Sequence, residues 1–128
     1  MIYEFIWIGD KNEDLTKFSF LAENFNYEVK TIKNADETLN YVLMFNLSSD
    51  TYNSNNSLSE LFNLHQLQNY SQLKIQLISE NDIVQQYIFS STALQVEYVE
   101  KFSEHSLKYL TRLIFKNING GQQNAKIG

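Results

Sequence analysis

Hydrophobic positions fall in short runs separated by polar stretches, and the spacing within each run predicts the element it forms. Ile2-Tyr3-Glu4-Phe5-Ile6-Trp7-Ile8 is apolar with one interruption, the pattern of a strand buried on both faces. After Glu13-Asp14, Leu15, Phe18, Ala22 and Phe25 recur at helical spacing, and the two acids suit a helix N-terminus. Tyr27 to Ile32 predicts a second strand, so the chain opens as a βαβ unit.

Two readings stand for residues 35–50. Tyr41 to Leu47 has the composition of a third strand, ending near Asn46. Alternatively Ala35 to Phe45 is a crossover helix, with Leu39, Val42 and Leu43 inward, and Asn46 to Asp50 is the strand. The first leaves a short crossover, since a parallel connection normally needs about a dozen residues. Residues 51–57 are a polar loop. Leu58, Leu61, Phe62 and His65 make a helical face, and Leu73 to Ile78 is a strand ending at Ser79.

Asp82 to Phe89 predicts a helix through Ile83, Val84, Tyr87 and Ile88. Gln95 to Val99 predicts a fifth strand, with Lys101 leaving its C-terminal end. Ser103 then caps a last helix to Lys116 that buries Leu107, Leu110 and Ile114. Five strands alternating with helices predict an α/β fold, a five-stranded parallel sheet in a doubly wound α/β sandwich. Residues 1–118 form one domain, and 119–128, with Gly120-Gly121, read as a flexible tail or linker.

Composition narrows the partners. The net charge of -5 argues against general nucleic-acid binding, which rests on neutralising phosphates. Residues 1–100 carry 14 acids and 5 bases, whereas residues 101–128 carry 1 acid and 5 bases. There is no cysteine, which removes disulfides and thiolate chemistry and suits a cytoplasmic setting. No apolar run reaches membrane-spanning length. No GxSxG, P-loop or GxGxxG occurs, and His65 and His105 lack the spacing of metal ligands.

Four short stretches then acquire a joint meaning. These are Trp7-Ile8-Gly9-Asp10-Lys11-Asn12-Glu13-Asp14, Tyr27-Glu28-Val29, Ser79, and Tyr98-Val99-Glu100-Lys101-Phe102. Their order and spacing over residues 2–117 resemble the receiver domains of bacterial two-component response regulators, with their flavodoxin-like fold. The resemblance implies an acid pair holding Mg²⁺, a phosphoacceptor aspartate after strand three, a switch hydroxyl and a lysine. An aspartate attacks a phosphoryl donor only where a metal and a cation offset the crowded negative charge.

Matched to that pattern, the acid pair becomes Gly9-Asp10 or Asp10-Lys11, with one ligand gone. The acceptor position falls on Asn46, an amide, or on Asp50 under the second strand reading. Ser79 and Lys101 take the hydroxyl and lysine places, and Phe102 stands where the family's proline follows. The resemblance therefore implies a degenerate pseudo-receiver with a disabled site at Gly9, Asp10, Lys11, Asn46, Ser79 and Lys101. Each residue also has a plainer role: Asp10 as a cap or solvated charge, Ser79 as a helix N-cap, Lys101 as a solvent-reaching base, Asp50 as a turn acid.

Lys108, Arg112 and Lys116 form an i, i+4 stripe, with Tyr109 and Leu113 on the adjoining turn and Tyr87 on the preceding helix. With Tyr98, these residues correspond to the partner face that receivers present. The expected function is a signalling protein–protein interaction module, not an enzyme, with no cofactor. Its partner is a protein or a second copy, not nucleic acid or membrane. The alternative is a receiver active through phosphorylation of Asp50, which alone requires Mg²⁺.

Overall fold

A computed structural model describes residues 1–21, 26–33, 35, 39–49, 56–105, 107–117 and 123–127, without the side chains of residues 32, 39–40, 47–49, 56–57, 109 and 123–127. The elements are β1 (Ile2–Ile8), β2 (Asp14–Leu21), β3 (Asn26–Lys33), β4 (Leu39–Ser49), α1 (Asn56–Leu67), β5 (Gln72–Ser79), β6 (Asp82–Ser90), β7 (Leu94–Ser103), β8 (Lys108–Asn117) and β9 (Gln123–Ile127). They build a five-stranded sheet, β2-β1-β5-β6-β9, and a four-stranded sheet, β3-β4-β8-β7. All seven strand pairings are antiparallel. Residues 123–127, inside the stretch read as a tail, pair as β9 with β6.

This arrangement overturns the expected five-stranded parallel, doubly wound α/β sandwich, and with it the resemblance to receiver domains and the flavodoxin-like fold. The physical reason lies in the connections. A parallel crossover needs a dozen or more residues, whereas β5 and β6 are joined by Glu80-Asn81 and β7 and β8 by residues 104–107. Glu80 and Asn81 both have positive φ, 52° and 69°, as a two-residue type I′ hairpin turn requires. Ser79 and Asp82 face each other across that turn, where a helix cap was expected.

Three segments predicted as helices are strands. In β2 the inward residues are Thr16, Phe18 and Phe20, opposite Trp7, Phe5 and Tyr3. In β6 they include Tyr87 and Phe89, opposite Ile75 and Leu73. In β8 they are Thr111, Leu113, Phe115 and Asn117, all buried. Period-two burial of aromatic and branched side chains between two sheets outweighs the fewer apolar positions that also fit a 3.6-residue period. Tyr41 to Leu47 does lie in a strand, β4, paired with β3 and β8.

The core forms where the inner faces meet. Phe5 of β1 lies 5.2 Å from Phe45 of β4 and 5.6 Å from Phe115 of β8, centroid to centroid, while Tyr3 contacts Phe45 at 5.3 Å. Trp7, Phe5, Phe45, Leu43, Leu73, Leu113 and Phe115 are all within 2% of full burial. Such tilted and edge-on aromatic pairs each add about 0.5–1.5 kcal/mol beyond area burial.

The helix closes the sandwich beside β7 and β8. Leu58 and Leu61, one turn apart, are fully buried in the same core. Phe62 stacks on Tyr98 of β7 at 5.6 Å, and the Gln68 N–H closes the last turn on the Leu64 carbonyl. β1 is buried on both faces, as its apolar run predicts, because it is a central strand of the larger sheet.

Candidate interaction surface

The outer face of the four-stranded sheet is built by alternation. With no register shift in its three pairings, the described side chains at even-numbered positions of β3, β4 and β8 and at odd-numbered positions of β7 point outward. One cross-strand row reads Asn26, Asn46, Arg112, Val99; the next reads Glu28, Met44, Ile114, Glu97; the third reads Lys30, Val42, Lys116, Gln95. Leu110 and Lys101 pair beside the first row. The first row, this pair, and Glu28 and Ile114 of the second row line a groove of about 490 Å³.

The floor of the groove is aliphatic. Val99 and Leu110 are 49% and 48% exposed, and Ile114 of the second row is half-buried. Polar order surrounds it: the Arg112 Nε–H donates to Asn46 Oδ1 at 2.8 Å, fixing the guanidinium across two strands. Lys116 Nζ lies 2.8 Å from Glu97 Oε1. The face carries Lys30, Lys101, Lys108, Arg112 and Lys116 against Glu28 and Glu97, leaving five bases against thirteen acids on the rest of the chain. A net-positive face thus stands on an acidic protein.

Several residues singled out from sequence meet here, and others do not. Asn46 and Lys101, assigned to a phosphorylation crevice, are both outward on this sheet. Lys101 is a mid-strand residue paired with Leu110, not the end of a parallel strand facing a crevice. Lys108, Arg112 and Lys116 share the outer face of β8, while Leu113 has no exposed surface and packs in the core. Tyr87 and Tyr98 point inward. Tyr109 pairs with Phe102, its side chain lying outside the described residues, and Asp50 lies outside them altogether.

Gly9, Asp10 and Lys11 form the turn between β1 and β2. The Gly9 N–H bonds the Glu13 carbonyl at 2.9 Å, and the Lys11 N–H donates to Glu13 Oε2 at 2.8 Å. Ser79 begins the β5–β6 turn. The turns and the groove belong to different sheets, so the six residues of the supposed phosphorylation site form no common site. Sequence reasoning missed Val99, Leu110, Ile114, Asn26 and Glu28. The alternation of Lys108, Leu110, Arg112, Ile114 and Lys116 with Thr111, Leu113 and Phe115 carried the signal for the groove residues on β8.

Elsewhere, titratable groups serve packing. His65 on α1 is hydrogen-bonded to the Tyr70 hydroxyl, and burial pulls its pKa below the ordinary 6.5 while pushing Tyr70 far up. Burial, reinforced by Tyr27, pushes Tyr87 up to about 12. Burial and then the Glu100 carboxylate raise Tyr98. Among the described residues no group of three or more His, Cys, Asp or Glu is placed to hold a metal ion, and no helix is long and apolar enough to cross a membrane.

Fold and surface together define an all-β protein of two antiparallel sheets with a groove across one outer face. No family model and no curated protein matches the chain. Among solved structures, the cryo-EM structure of the anti-feeding prophage cap, the AFP tube terminating cap, is similar over 98% of this chain and 88% of that chain, at 13% identity and a TM-score of 0.36. At that identity and score the likeness transfers no residue role and carries no argument about function.

Proposed function

We propose that the protein is a protein–protein interaction module, without catalysis of its own, that docks an acidic protein partner on the outer face of the β3-β4-β8-β7 sheet. The observation that carries this is the gathering of five bases on the sheet face that holds the groove, with Lys101 and Arg112 lining it beside exposed Val99 and Leu110, in a chain of net charge -5. Exposed apolar surface rimmed by charge is the usual composition of a docking site. A protein suits it better than nucleic acid, because Val99, Leu110 and Ile114 line the groove with aliphatic surface that a phosphate backbone does not use. The absence of cysteine fits a reducing, cytoplasmic setting.

Selection from a displayed random-peptide library tests the proposal. Recovered peptides are expected to combine Asp or Glu with a large apolar residue, to bind less tightly as salt rises, and to lose binding to the Lys101→Glu, Leu110→Asp double variant. Recovery of peptides without acidic bias, or undiminished binding to the double variant, would contradict it.

A further inference from the structure

The groove contains a feature more specific than its charge. Arg112 is anchored through Nε alone: Asn46 Oδ1 accepts that hydrogen, and the two terminal nitrogens have no recorded partner among the described residues. A guanidinium held at Nε keeps a planar pair of terminal donors, the fork that matches a carboxylate through two parallel hydrogen bonds. Lys101 lies diagonally across the β7–β8 pairing from Arg112, because Lys101 faces Leu110 and Val99 faces Arg112. Diagonal neighbours on one sheet face are close enough for long side chains to share a ligand.

Beside this cationic pair the floor turns aliphatic within one residue step. Val99 stands directly opposite Arg112, and Leu110 and Ile114 flank Arg112 on β8, with Leu110 and Val99 both about half exposed. Glu97, directly opposite Ile114, is the other diagonal neighbour of Arg112, and its carboxylate is engaged by Lys116 Nζ at 2.8 Å. The face therefore offers a bidentate donor, a second cation and an apolar shelf at adjacent positions.

We infer that this is a carboxylate-reading site: Arg112, positioned by Asn46 and assisted by Lys101, takes a partner's carboxylate, and Val99, Leu110 and Ile114 receive the aliphatic group next to it. The inference rests on the interaction-module reading and specifies its ligand as a carboxylate adjoining an aliphatic side chain. Arg112 supplies the directional contact, so lysine at that position keeps the charge and loses the fork. Asn46 acts through Arg112 and is a positioning residue.

Nuclear magnetic resonance titration of the whole chain tests it with three probes: N-acetyl-leucine, its uncharged amide, and inorganic phosphate. The carboxylate probe is expected to shift the Arg112 Nε–H and the backbone amides of Val99, Lys101 and Leu110 saturably, with neither other probe doing so at equal concentration. Arg112→Lys should weaken that binding about tenfold, the size of a lost charge-assisted hydrogen bond. Asn46→Ala should weaken it less and broaden the Arg112 Nε–H signal, a change that loss of a ligand contact alone would not cause. Equal shifts from the amide or from phosphate, or no loss in Arg112→Lys, would overturn the carboxylate assignment. Library peptides that still require Leu110 and Lys101 would in that case leave the docking surface standing.

Discussion

At the scale of single residues, the charged groups that shape stability lie away from the groove. Glu4, 8% exposed on the outer side of the larger sheet, accepts from Gln76 Nε2 at 2.7 Å and pairs with Lys17 Nζ at 2.9 Å. Burial pushes its pKa up, but the Lys17, Gln76 and Ser19 donors outweigh that and hold it below the ordinary 4.5. The folded carboxyl keeps its charge to lower pH than the unfolded one, so this stabilisation is complete above about pH 4.5 and is lost as pH falls through the folded value. Glu4→Ala leaves the buried Gln76 amide without its acceptor and is expected to cost about 1–3 kcal/mol in urea denaturation at neutral pH.

His65 gives the same sign in a different window. Its folded pKa is depressed by burial, so the unfolded chain binds the proton more readily, and stability is full above 6.5 and falls as pH drops below that value. Unfolding midpoints measured at about pH 7.5 and about pH 5.5 should show this loss. His65→Gln, which keeps an acceptor for the Tyr70 hydroxyl, should remove most of the difference.

At the scale of elements, β8 separates the two ways of reading the chain. On a helix Leu110 would be inward and Leu113 outward; on the observed strand Leu113 has no exposed surface and Leu110 is 48% exposed. Leu113→Ala is therefore expected to cost about 2–5 kcal/mol. Leu110→Ala should stay within about 0.5 kcal/mol, as surface changes usually do. Equal costs would contradict the strand phase. The β5–β6 turn gives a second test, since Glu80 occupies a conformation that favours glycine or asparagine. Replacing Glu80-Asn81 by Asn-Gly should raise stability by about 0.5–1 kcal/mol.

These elements also show what the sequence made legible. β1, β3, β5, β7 and the helix over 56–67 could be read from apolar runs and the Leu58, Leu61 spacing, and the residues of β4 from their composition. β2, β6 and β8 were hidden because each contains apolar residues at both periods: in β8, Leu110 and Ile114 fit a helix while Leu113 and Phe115 fit a strand. The turns gave no help, as the chain has no proline and its tightest hairpin uses Glu-Asn in place of Asn-Gly. Sheet partners could not be read at all, because pairing depends on contacts between residues as distant as Glu4 and Gln76.

At the scale of the whole molecule, the two outer faces differ in kind. On the larger sheet, Leu21, Ile2, Ile78 and Ile83 make an uncharged row beside the Glu4 network. On the smaller sheet, bases gather around a groove. The basic stripe Lys108, Arg112, Lys116 was legible even from the wrong element, because a spacing of four returns to the same side of a strand as well as near the same side of a helix. Its neighbours were not: a helix brings Tyr109 and Leu113 to the stripe, whereas a strand brings Leu110 and Ile114, with Asn46 and Lys101 supplied by other strands.

Site-specific photo-crosslinking tests the central claim most directly. A benzophenone amino acid placed at Val99 or Leu110, and for comparison at Ile2 or Leu21 on the opposite outer face, is irradiated with the acid-rich peptide recovered by selection. Adducts from Val99 and Leu110, suppressed in the Lys101→Glu background and absent from Ile2 and Leu21, are the expected result. Adducts from Ile2 or Leu21 with none from Leu110 would place the working surface on the other sheet and contradict the account.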